Sequence, residues 1–121
     1  MQHSEEFLVV VEDAKSRIRE ITVDEAIERM EHGAQLIDVR EDNEWANGHA
    51  AGAIHLGRGI IERDIVKTVP DRSAELVLYC GGGFRSALAA DMLQKMGYTN
   101  VRSMAGGWKA WKDLNAPVTV D

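Results

Sequence analysis

"LVLYCGGGFRSALAADML", residues 76–93, is the stretch on which the reading of the chain turns. The apolar run 75–79 is short, bounded and β-rich, and reads as a buried strand. Cys80, the only cysteine, closes it. Gly81, Gly82 and Gly83 follow, then Phe84, Arg85 and Ser86, and an Ala-rich segment that predicts a helix over 86–96, stopped at Gly97. In an open parallel sheet, ligands bind beyond the carboxyl ends of the strands. A lone thiol stands at such an end.

That position shares space with the first free N–H groups of a helix, which together with the helix dipole stabilise negative charge. Thiolates in comparable settings have pKa values lowered from about 8.5 to roughly 3.5–7.5. The glycines can adopt positive φ and let successive N–H groups converge on one anion, at a cost in backbone entropy that a plain connector does not require. The bland alternative is a buried, inert cysteine followed by a flexible turn, the usual state of free cysteines. Strand end, glycine run and helix start together favour a functional anion-binding loop.

Working outward, Phe7, Val11, Ala14 and Ile18 line one face of a helix expected over 5–19. Thr22 and Glu25 form a capping box for a helix striped by Ala26, Ile27 and Met30 and ended by Gly33. Strands are expected at 35–39, 53–56 and 100–104, short helices around 43–47 and 60–67, a turn at Pro70-Asp71, and a last helix in "GGWKAWKDL" before "NAPVTV". Strands alternating with helices imply βαβ units: an α/β layer sandwich with a parallel sheet covered on both faces. The division expected is an N-terminal helical extension, 1–19, and one domain, 20–121.

Composition narrows the function classes. A chain of 121 residues, 45% hydrophobic and 28% charged, is an ordinary single globular domain. A net charge of −6 without a basic stripe argues against nucleic-acid partners. A single cysteine excludes an intrachain disulfide. The run "FLVVV" is too short and wrongly flanked for a signal peptide, and no stretch approaches a membrane span. A cytoplasmic protein without a membrane partner is the expectation.

Metal binding is not expected, because soft zinc sites need several Cys and His and the four histidines fall at no ligand spacing; solvated or capping roles suit them. No Lys-Ser/Thr closes a Walker A loop. A Cys–His hydrolase needs a positioned histidine, for which His49 or His55 could be put forward without support. Two thiolate-cradle chemistries remain, phosphoryl transfer and sulfane-sulfur transfer. Arg85 stands five positions after Cys80, one fewer than in the loops that enclose a phosphoryl group. The smaller ring suits a sulfur atom, and no general acid for an alcohol leaving group is evident.

At this point the residues resemble the rhodanese family. Cys80-x-x-Gly83-x-Arg85-Ser86 is similar to its six-residue active loop. "LIDVREDNEWANGHAAGAIHLGRG" resembles a second family segment through Asp38, Arg40, Glu44, Gly48, His49 and Gly52. "MAGGWKAWKDLNAPV" resembles a third through Gly106, Gly107, Trp111 and Pro117. The likeness covers roughly residues 20–120. Ala50-Ala51 replaces a common proline, and Gly81-Gly82 stands where larger or charged residues are frequent.

The resemblance implies a three-layer sandwich with a five-stranded parallel sheet flanked by helices. It implies a cofactor-free sulfurtransferase in which Cys80 takes sulfane sulfur from thiosulfate or a similar donor and passes it, as a persulfide, to cyanide or a thiol. The alternative is a sulfur-carrier module served by a relay protein. Backbone N–H groups of residues 81–86 are expected around the persulfide. Arg85 is expected to pair with Asp38 or Glu44, or to touch the donor. Arg58 is a candidate for the mouth or a solvated arginine, and Ser86 for a helix cap or a bond to sulfur. Phe84 is expected as an exposed apolar platform. Trp108 and Trp111 are expected to pack in core and rim.

Overall fold

The computed structural model describes residues 2–121. Five parallel strands, β1 (Arg19–Ile21), β2 (Gln35–Asp38), β4 (Ile54–His55), β5 (Leu76–Tyr79) and β6 (Val101–Met104), form one sheet. Their order is β1-β6-β5-β2-β4. Helices α1 (Glu5–Lys15), α2 (Val23–Glu31), α3 (Asp42–Ala46), α4 (Ile61–Thr68), α5 (Phe84–Lys95) and α6 (Gly107–Asp113) surround it. A small antiparallel pair, β3 (His49–Ala50) with β7 (Val118–Thr119), lies apart. The expected α/β sandwich with a five-stranded parallel sheet is what the chain forms.

Strand β5 is central and explains the layers. Its side chains alternate between two cores, so the whole run is apolar rather than every second residue. Leu76, Leu78 and Cys80 enter one core with Ile61 and Ile65 of α4 and Ala89, Ala90 and Leu93 of α5. Val77 and Tyr79 enter the other with Val23 and Ala26 of α2 and Trp111 of α6. Truncating a fully buried leucine such as Leu78 to alanine costs about 2–5 kcal/mol.

The helix expected over 5–19 ends at Lys15, because the chain then turns to lay Arg19 beside Arg102 of β6. Strand β1 is three residues long with one buried side chain, too short to display alternation, and the sequence pattern misses it. The division expected between residues 19 and 20 falls inside this strand. Helix α1 is tied along α5. Val11 and Ala14 are buried. Arg17 donates from Nε and Nη2 to Asp91 at 2.9 and 2.8 Å. Gln94 Nε2 donates to the Arg17 carbonyl at 2.9 Å.

The Thr22–Glu25 capping box is formed, with Glu25 N–H donating to Thr22 Oγ1 at 3.1 Å and Thr22 N–H to Glu25 Oε1 at 2.9 Å. Strands β3 and β7, two residues each, were not expected; chains this short carry no periodic signal. No helix among the described residues is long and apolar enough to cross a membrane.

Candidate active site

Helix α5 begins two residues earlier than its sequence suggests, because Gly83 serves as its N-cap with φ +102°. That left-handed conformation is one that glycine adopts without steric cost. It turns the Gly83 N–H onto Cys80 Sγ at 3.1 Å. The thiol also donates to Ser86 Oγ at 3.6 Å, and Ser86 Oγ bonds Ser103 Oγ of β6 at 2.8 Å. Cys80 is 1% exposed, and both serines are fully buried. The sulfur therefore sits on a floor of one amide and a two-hydroxyl chain.

A second glycine pair holds this loop from behind. The start of α6 donates Trp108 N–H to the Cys80 carbonyl at 2.7 Å and Lys109 N–H to the Gly81 carbonyl at 3.2 Å. Such closeness requires Gly107: a Cβ there would overlap the Cys80 carbonyl oxygen and lie 2.9 Å from Gly81 C and O. Gly106, at φ +78°, sets the entry to the helix. Sequence reading found these two glycines only as part of a resemblance; their contact with the cysteine loop was not foreseen.

Arg85 pairs with Glu44, not Asp38. Its Nη1 and Nη2 donate to the two carboxylate oxygens at 2.7 and 3.1 Å. The Arg85 hydrogen bonds hold the Glu44 carboxyl down at about 2. The same bonds raise the guanidinium pKa, to which the nearby Cys80 sulfur adds a smaller effect. A Cβ on Gly81 would lie 3.1 Å from Arg85 Nη2, so the residue that looked bare in sequence lies beneath this ion pair. Gly82 has no such neighbour and keeps the mouth open.

Asp38 is taken by its own surroundings. It is fully buried and accepts Arg40 N–H at 2.8 Å, Arg40 Nη2 at 2.7 Å and the Tyr79 hydroxyl at 2.6 Å. Burial first, then the bond to Asp38, raises the Tyr79 phenol above its ordinary range. This network ties the end of β2 to β5 and leaves Asp38 structural. Arg58 stands outside the cavity over Cys80, with Nη1 3.8 Å from Glu62 and its backbone N–H on Val39 O.

The cavity above the sulfur has a volume of about 560 Å³ and is lined by His3, Phe7, Glu44, Cys80, Gly82, Phe84 and Arg85. Phe84 is not the exposed platform expected. Its ring lies 4.8 Å from His3 and 6.2 Å from Phe7, with Lys15 Nζ 5.2 Å from its centroid. Helix α1 packs along α5 and so covers a ring that would otherwise face water. His3 and Phe7 are the lining residues that sequence reading missed; neither belongs to a motif.

The remaining histidines depart from the solvated picture as well. His49 is buried and stacks on Trp45 at 3.3 Å, and His55 Nε2 donates to the Arg40 carbonyl at 2.8 Å. His32 and His49 take the expected capping role, each donating from Nδ1 at 2.9 Å to a carbonyl in the last turn of the helix before it, Glu28 of α2 and Trp45 of α3. Trp111 is buried in the core and Trp108 packs partly buried beside it, as expected.

Comparison with known proteins matches this arrangement. The rhodanese-like domain family matches residues 22–114. The thiosulfate sulfurtransferase GlpE of Haemophilus influenzae is 33% identical over 100 residues, covering 83% of this chain and 93% of that protein. A Rhodopseudomonas palustris protein of unknown function, described as a possible tyrosine phosphatase, superposes with TM-score 0.82 at 28% identity over 98% of both chains. The polysulfide-sulfur transferase homodimer of Wolinella succinogenes also reaches TM-score 0.82, at 25% identity over 94% of this chain and 87% of that one. With its motifs in order and three-quarters of its length inside the matched span, the chain belongs to the rhodanese-like domain family.

Proposed function

We propose that the protein is a sulfurtransferase that carries sulfane sulfur on Cys80 from thiosulfate, or a donor like it, to a thiol or cyanide. The observation that carries the reading is the Cys80 sulfur held on the Gly83 amide and the Ser86 hydroxyl at the base of an open cavity. Its relatives named as thiosulfate and polysulfide-sulfur transferases support it.

In the first half-reaction the Cys80 thiolate attacks the outer sulfur of thiosulfate. A Cys80 S–S bond forms, the S–S bond of the donor breaks, and its electron pair leaves with sulfite. For a thiolate, Ser86 turns its proton toward sulfur and Ser103 donates to Ser86, a rotation that hydroxyls make at little cost. The persulfide anion then extends toward the cavity over the first amides of α5, residues 84–86, where the helix end favours negative charge. In the second half-reaction an acceptor thiolate or cyanide attacks the outer sulfur and returns the electron pair to Cys80.

A phosphatase reading draws on the description of the Rhodopseudomonas palustris protein. Against it stand the short spacing from Cys80 to Arg85 and the end-on pairing of Arg85 with Glu44, which neutralises the charge that a phosphoryl group would need. The relay-protein reading loses its bare platform, since His3 and Phe7 cover Phe84. Thiocyanate formation from thiosulfate and cyanide tests the proposal. Wild-type turnover, its loss in Cys80→Ser and no aryl phosphate hydrolysis are expected; undiminished turnover in Cys80→Ser would refute it.

A further inference from the structure

The cavity over Cys80 is far roomier than thiosulfate requires. Its volume of about 560 Å³ falls in the range of about 300–1,000 Å³ usual for whole organic ligands. Its charge is balanced, for the lining arginine, Arg85, is paired end-on with the lining carboxylate, Glu44. The apolar part of the lining is aromatic: Phe84, Phe7 and His3, packed with ring centroids 4.8–6.2 Å apart.

Two of those three rings come from outside the span that matches the family, residues 22–114. They are nonetheless firmly placed. Ser4 caps α1 by accepting the Phe7 N–H at 3.1 Å, which sets His3 and Phe7 together at the helix start, 5.1 Å apart. Farther along, the Arg17–Asp91 ion pair and the buried Val11 and Ala14 fix α1 to α5. The helix that bears Phe84 at its first turn is thus the helix that α1 grips. The opposite side of the sulfur is closed by core, so an acceptor enters through the cavity that these rings line together with Glu44, Gly82 and Arg85.

Resting on the sulfurtransferase reading, we infer that His3 and Phe7, with Phe84, form a specificity wall that selects a sulfur acceptor thiol with an apolar, ring-bearing or aliphatic body over a small anionic thiol. The acceptor thiolate attacks the outer sulfur of the Cys80 persulfide; a new S–S bond forms on the acceptor and the bond to Cys80 breaks. The electron pair returns to the Cys80 thiolate, and the acceptor's proton has gone to solvent. The rings hold the acceptor's carbon body during this step, by burial and by edge or face contacts between aromatic groups.

The test uses the full chain loaded with thiosulfate, persulfide on Cys80 being read by intact mass, and then discharged in separate reactions. The probes are benzyl mercaptan, 2-mercaptoethanol and 3-mercaptopropionate, each rate divided by that of the same thiol with a small-molecule persulfide. Wild type is expected to favour benzyl mercaptan over 3-mercaptopropionate by roughly tenfold, equivalent to about 1.4 kcal/mol. The preference is expected to collapse toward unity in Phe7→Ala and His3→Ala, and to survive in part in Phe7→Leu, which retains apolar bulk. Val9→Ser, on the outward side of α1 and 67% exposed, should leave it unchanged. A preference near unity in wild type, or one unaltered in Phe7→Ala, Phe7→Leu and His3→Ala, overturns the inference while the sulfurtransferase reading stands. Failure of wild type to load overturns both.

Discussion

The floor beneath the Cys80 sulfur and the wall above it are built on different terms. The floor is made of glycines and serines: Gly83 with its amide on the sulfur, Ser86 and Ser103 in a buried chain, and Gly107 pressed against the Cys80 carbonyl. Backbone does most of that work, so the residues there are fixed by what a side chain would disturb. The wall is made of rings, and two of them, His3 just before α1 and Phe7 in its first turn, precede the family match. The cysteine loop thus lies inside the span that matches the family, and two of the three rings above it lie outside that span.

The contrast is easiest to break at Gly107. Gly107→Ala sets a methyl onto the Cys80 carbonyl, so the loop or α6 must shift; a loss of about 3 kcal/mol in urea unfolding is expected, with loading by thiosulfate slowed at least tenfold. Ser86→Ala removes the hydroxyl facing the sulfur and leaves Ser103 Oγ without that partner. Hydrogen bonds to charged groups contribute about 1.5–3 kcal/mol, so single-turnover loading should fall roughly ten- to hundredfold with the fold retained by circular dichroism.

Glu44→Gln probes the join between floor and wall. Its carboxyl lies near 2 in the folded chain against an ordinary 4.5, so the stabilisation is complete above about pH 4.5 and is lost as pH falls through about 2. The difference in Tm between wild type and Glu44→Gln should be constant from neutrality to about pH 4.5 and close below it. A difference that grew on acidification would contradict the pairing. Smallest of all is Gly82→Ala, with φ in the ordinary region and no atom within 4 Å; stability should stay within about 0.5 kcal/mol. Three adjacent glycines, three unequal reasons: φ at Gly83, the Arg85 side chain at Gly81, and open space at Gly82.

The contiguous part of the floor was legible in sequence; Ser103 and the contact of Gly107 with the Cys80 carbonyl were not. Cys80, Gly83, Arg85 and Ser86 lie on the loop and first helical turn that follow a buried strand, and strand-end placement follows from the βαβ pattern alone. The choice of partner for Arg85 was not legible. It depends on Arg40 claiming Asp38 two residues away and on α3 carrying Glu44 to the mouth, both matters of side-chain geometry. Strand β1 escaped because three residues carry no period. His3 and Phe7 escaped for a further reason: Phe7 lies on a helical face that predicts burial without naming a partner, His3 precedes that face, and only the packing of α1 along α5 brings both to the mouth.

Central to the account is sulfur held on Cys80, and mass spectrometry of the intact chain after brief exposure to thiosulfate measures it directly. The expected result is a gain of one sulfur atom, removed by a reducing thiol and located on the peptide containing Cys80. A folded protein whose mass does not change, or one that gains sulfur elsewhere in the chain, would contradict it.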